Sequence, residues 1–141
     1  MPRRNPARVT RNAPPHTRPA ERRQAVPGLS GRTVAEIARL ERRPSWPGPV
    51  FEAWRRWHAL AHGPGPWAMY AVDEICPCCD PFAGARVRAV LEAACRALPP
   101  RAARELRAVL APLDARFLTR TLPDPSAPPD TPWWAARLNS A

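Results

Sequence analysis

PRAARELRAVLAPLDARFLTRT, residues 100–121, decides the fold class. Leu106, Val109, Leu110, Leu113 and Phe117 recur at three- and four-residue steps, so they fall on one side of an α-helix. Pro112 lies inside this run and cannot donate to the carbonyl of Ala108, which predicts a kink there. Immediately upstream, Asp80-Pro81 makes a cap and first-residue pair for another helix, running to about Leu98. Val87, Val90, Leu91, Ala94 and Leu98 form its apolar face, and Cys95 lies beside it as a core residue. Pro99-Pro100 allows only a short turn between the two, which predicts an antiparallel helical hairpin.

Working towards the N-terminus, residues 66–76 carry Trp67, Met69, Tyr70, Val72 and Ile75. They read as a third helix, with a short strand over 67–75 as the alternative. Gly63-Pro64-Gly65-Pro66 breaks the chain before it. A second helix is expected from about Pro49 to His62, with Val50, Phe51, Trp54, Trp57, His58 and Ala61 on its apolar side. A first runs from Thr33 to about Arg43, where Thr33-Val-Ala-Glu36 reads as a capping box and Val34, Ile37, Ala38 and Leu40 as the apolar side. The expectation is an all-α domain, a small bundle of about five helices over residues 31–122.

Proline marks its limits. Of 21 prolines, six lie between Pro2 and Pro27 and five between Pro123 and Pro132. Residues 1–30 therefore read as a disordered basic arm, and 123–141 as a Pro-rich linker ending in a short Trp-Trp helical turn. The formal net charge is +10, and every basic side chain is arginine. Arginine suits bidentate phosphate contact and stacking, but the abundance of Ala and Pro points as well to a coding bias. No apolar run approaches the roughly 20 residues of a membrane span. Four cysteines, three of them within residues 76–79, do not resemble a disulfide framework. The expected setting is the cytoplasm, with reduced thiols and no membrane partner.

His58 and His62, followed by Cys76 and Cys79, use the vocabulary of a zinc site. Cys76 stands ten residues past Pro66, about 15 Å along a helix, so the set converges only if the third segment folds back. Otherwise His58 is a histidine on a mixed helix face, His62 a helix-end histidine favoured by the dipole, and the thiols are ordinary, so that no cofactor is expected. Cys76-Pro77-Cys78-Cys79 also resembles the Cys-Pro-x-Cys redox motif of the glutaredoxins, with Thr121-Leu122-Pro123 standing where that family has its Thr-Val-Pro loop. The resemblance implies Cys76 as nucleophile and Cys79 as resolving thiol. Residues 33–50 resemble a helix of a helix-turn-helix followed by the exit from the recognition helix in excisionase-like winged domains. That resemblance implies that Arg39, Arg42 and Arg43 face DNA. An ordinary capped amphipathic helix accounts for the same residues.

Two binding elements complete the reading. The arm, with Arg3, Arg4, Arg22 and Arg23, can contact phosphates without sequence preference, or is simply solvated. Trp133, Trp134 and Leu138 form an apolar anchor, with Trp134 and Leu138 one helical turn apart. It docks either on its own body or in a partner's groove. The leading expectation is a non-catalytic interaction module with an unknown protein partner. A nucleic-acid-associated protein and a zinc or thiol-redox protein are the alternatives.

Overall fold

A computed structural model describes residues 24–63 and 83–139. Among the described residues there are four helices followed by one strand pair: α1 (Gly31–Glu41), α2 (Val50–His62), α3 (Ala83–Ala97), α4 (Pro100–Thr119), β1 (Thr121–Pro123) and β2 (Arg137–Asn139). The mostly helical class is as the periodicity predicts. The segment expected to supply a fifth helix, residues 66–76, lies outside the described residues, as do Arg3, Arg4, Arg22, Arg23, Cys76 and Cys79. No described helix is long and apolar enough to cross a membrane.

The stripe on α4 supplies the centre of the core. Leu106, Leu110, Leu113 and Phe117 are buried, together with Ala102 and Ala103, while Val109 is half-buried. The helix continues unbroken through Pro112, which lies on the exposed side. There the amide it lacks and the freed carbonyl of Ala108 cost no buried hydrogen bond. Leu98-Pro99 links α3 to α4, and the two pack on each other, on α1 and on α2.

The buried side of α2 is rotated from the expected one. Val50, Ala53, Trp57 and Ala61 face the core, Phe51 and Trp54 are half-buried, and His58 is exposed. Small residues at 53 and 61 let α2 approach its neighbours closely, with Trp57 filling the space between. Gly63 ends the helix in an extended conformation (φ −64°), so it is not the left-handed C′ residue its sequence position suggests.

The start of α1 also differs. Ser30, not Thr33, is the N-cap: its Oγ accepts from the amide of Thr33 at 3.3 Å. Thr33 is itself buried, and Glu36 pairs with Arg39 instead of reaching back. The carboxylate of the box comes from α4, where Glu105 accepts from the Ser30 amide at 3.0 Å and the Ser30 hydroxyl at 3.1 Å. A similar loan starts α2. Pro49 offers no side-chain cap, and Glu41, the last residue of α1, accepts from the amide of Val50 at 2.7 Å. The starts of α1 and α2 are thus each tied to another helix, which joins local structure to packing.

Packed chain begins before residue 31. Val26 is 4% exposed and Leu29 packs against the same core. Gly28 turns the chain after Pro27 with φ +87°, and a Cβ there would stand 3.3 Å from Val109 Cγ2. Positive φ and close approach together call for glycine.

The C-terminal segment corrects another expectation. One turn does form, since the amides of Ala135 and Ala136 both donate to the carbonyl of Pro132. The helix stops there, and Leu138 lies in β2, paired across from Leu122. Arg137 explains the change. Its guanidinium donates to the carbonyls of Leu118 and Thr121 and to Thr121 Oγ1, so the chain is drawn out alongside β1. Trp134 and Leu138 therefore do not share a helical face.

Candidate functional site

Three groups of side chains carry charge, aromatic surface or metal-binding chemistry. The first is the corner where the end of α1 meets the α3–α4 turn. Ile37 and Leu40 are buried, which directs Arg32 and Arg39 outwards, seven residues apart on one line of the helix. Arg39 and Arg43 line a cleft of about 310 Å³ with Glu36, Leu40, Leu98 and Pro99. Arg39 is 62% exposed and bound to Glu36 at 2.9 Å. Arg32, Arg42 and Arg43 are exposed and take no partner among the described residues.

The carboxylates are differently placed. Glu52 accepts from Arg55 and Arg56, and these bonds hold its carboxyl at about 2. Glu105 is likewise held at about 2, first by the Ser30 amide, then by the hydroxyls of Thr33 and Ser30. Glu41 is occupied by Val50, Glu92 by Arg88 and Arg96, Asp114 by Arg88 and Trp57, and Asp124 by Ser126. Of the described carboxylates, only Asp130 lacks such a contact. Among the described residues, the negative charge other than Asp130 is thus spent internally, while Arg32, Arg42 and Arg43 are left unpaired.

The second group is buried and went unseen in the sequence. Arg88, with a side chain only 6% exposed, grips Asp114 through two bonds, Nε to Oδ1 at 3.0 Å and Nη2 to Oδ2 at 2.9 Å. Trp57 Nε1 donates to the same Oδ1 at 2.9 Å. Glu92 takes Nη1 at 3.4 Å. Burial pulls the guanidinium pKa down, but the hydrogen bonds and charge of Asp114 outweigh it, so the net shift is upward. Its planar group also lies 5.4 Å from the Trp133 ring centroid and 5.0 Å from that of Trp134. Trp134 is buried, while Trp133 is 38% exposed and stands edge-on to both Trp134 and Phe117. The tryptophan pair thus docks on its own domain, through a cation held from below by Asp114. The sequence held one signal: Arg88 stands one turn before Leu91, on the stripe that also carries Val87, Cys95 and Leu98. Cys95 is buried as expected, and burial pushes its thiol pKa up, with the Arg107 charge opposing.

The third group is on α2. His58 and His62 are exposed and stack with ring centroids 4.2 Å apart. Among the described residues no three His, Cys, Asp or Glu side chains converge as a metal site. Comparison with family models, with curated proteins and with solved structures returns no match to this chain.

Proposed function

We propose that this chain is a non-catalytic interaction module that binds an acidic protein surface through its arginines, chiefly Arg42 and Arg43 with Arg39 beside them. One observation carries the reading: nearly every described carboxylate is committed to an internal bond, while Arg32, Arg42 and Arg43 point into solvent unpaired. An exposed guanidinium gains little from a distant intramolecular charge and much from a carboxylate fork brought to it. The basic arm, with Arg3, Arg4, Arg22 and Arg23, adds long-range attraction that speeds encounter.

The test is binding of the full chain to a labelled acidic peptide, followed by anisotropy as salt rises from about 50 to about 200 mM. Paired reversal, Arg42→Glu with Arg43→Glu, is expected to weaken binding at least tenfold at low salt with helicity unchanged. Binding that ignores the reversal, or none at low salt, would refute the proposal. Nucleic acid is the second reading, favoured by Arg32 and Arg39 on one line of α1, with Arg43 beside Arg39 just past the helix end. Its mark is preference for duplex DNA over the peptide, with a log–log salt slope falling by about 0.9 for each phosphate contact removed.

A further inference from the structure

We propose that His58 and His62 form a two-imidazole chelate for a divalent transition-metal ion at the C-terminal end of α2, a site independent of the arginine surface. Residues four apart on a helix lie one above the other, and here the rings have closed to a centroid separation of 4.2 Å with planes 24° apart. The rings are stacked, so both must turn about their side-chain torsions to bring their in-plane lone pairs onto one ion at about 2.0–2.1 Å, a movement their exposure to solvent permits.

The hydrogen bonding selects the right nitrogen. His62 Nδ1 lies 3.0 Å from the carbonyl oxygen of His58. A carbonyl oxygen only accepts, so in the neutral ring the proton sits on Nδ1 and Nε2 is the nitrogen left with a lone pair. A ligand imidazole whose other nitrogen donates to a backbone carbonyl has its tautomer fixed in advance. Trp54 supports the pair from the preceding turn, its ring 5.2 Å from that of His58. The site also lies in the last turn of α2, where the helix's own dipole favours positive charge. Arg116 and Arg120 act against this, because both donate to the carbonyl of Ala61 on the side facing α4. With that opposing charge nearby, retention of a dication depends on both imidazoles together. Water completes the coordination. Neutral imidazole suits zinc, nickel and copper rather than calcium or magnesium, which take oxygen.

The test uses the full chain and two ions that do not oxidise thiols. Zn²⁺ is titrated by calorimetry, and Ni²⁺ by quenching of tryptophan fluorescence, to which Trp54 contributes. One ion per chain is expected, with at least tenfold weaker binding in His58→Ala and in His62→Ala. Both side chains are exposed, so the variants keep the fold, which circular dichroism checks. A third variant, Cys76→Ser with Cys78→Ser and Cys79→Ser, separates imidazole from thiol binding. Binding that survives this change but not the histidine changes supports the proposal. Loss in both sets overturns it, because the two imidazoles with water then do not hold the ion. Binding unaffected by either histidine change, or no binding of either ion, overturns it.

Discussion

Replacing Asp114 by alanine tests the buried node at its centre. The change strands a guanidinium whose side chain is 6% exposed and removes the acceptor from Trp57 Nε1. Breaking a buried ion pair from one side costs about 3–5 kcal/mol. Asp114 is 18% exposed and Glu92 stays within 3.4 Å of Nη1, so water and a second carboxylate keep this term near its lower end. The orphaned indole N–H adds about 1 kcal/mol or more. The expected loss is about 4 kcal/mol, against a total stability of about 5–15 kcal/mol for a domain of this kind. With a urea slope of about 2 kcal/mol per molar, the unfolding midpoint falls by about 2 M. Arg88→Met removes the charge and fills its volume, leaving Asp114 with Trp57 and solvent. Its cost is smaller, about 1–2 kcal/mol, mostly the lost stacking on Trp133 and Trp134. The double variant Arg88→Met with Asp114→Asn keeps an acceptor for Trp57, so it is expected to be more stable than Asp114→Ala alone. Urea unfolding followed by tryptophan fluorescence measures all three. If Asp114→Ala costs no more than Arg88→Met, or if the double variant is no more stable than Asp114→Ala, the desolvated-pair account is wrong.

Three further outcomes follow from the same contacts. Trp134→Ala is expected to cost about 3–5 kcal/mol, as for a large core side chain, and Trp133→Ala clearly less, by thermal or chemical unfolding; equal costs would contradict the docked geometry. Glu41→Ala removes the borrowed cap of α2 and is expected to cost about 0.5–2 kcal/mol, read as a lower melting temperature with little change in folded helicity. Glu105 has a folded pKa of about 2 against an ordinary value of 4.5, so the stabilisation it brings is complete above about 4.5 and is lost as pH falls towards 2. Wild-type and Glu105→Gln chains should therefore differ in stability at neutral pH and converge in acid, and a constant gap across that range would sink this assignment.

The helical class was legible because apolar residues recur once per turn along α3 and α4, and that recurrence is a local property. Leu106, Leu110, Leu113 and Phe117 were placed correctly for this reason. The errors fall where distant residues decide. Thr33-x-x-Glu36 has the composition of a capping box, yet Ser30 wins because Glu105, 75 positions away, reaches its amide. The Trp-Trp turn reads as helical up to Ala136, and Arg137 then finds carbonyls at Leu118 and Thr121 that draw the chain into a strand. His58 fits an apolar helical spacing, but α3 and α4 approach α2 from the side of Ala53 and Ala61, which leaves it in solvent.

The site was harder to read than the fold because one residue type carries several different roles. Arg88 is a buried crosslink, Arg137 a backbone clamp, Arg116 and Arg120 a helix end-cap, and Arg42 and Arg43 unpaired surface charge. In sequence each is an arginine near an apolar residue. What separates them is the acceptor each meets, and most of those acceptors are backbone carbonyls or carboxylates on another helix. A guanidinium offers five donors in a fixed plane, so it is drawn to whatever acceptor the packing leaves open. Where the fold brings no acceptor to it, as with Arg42 and Arg43 at the end of α1, the arginine is left facing outwards. The candidate binding surface is therefore read by subtraction: Arg42 and Arg43 belong to it because, among the described residues, the fold gives them no acceptor.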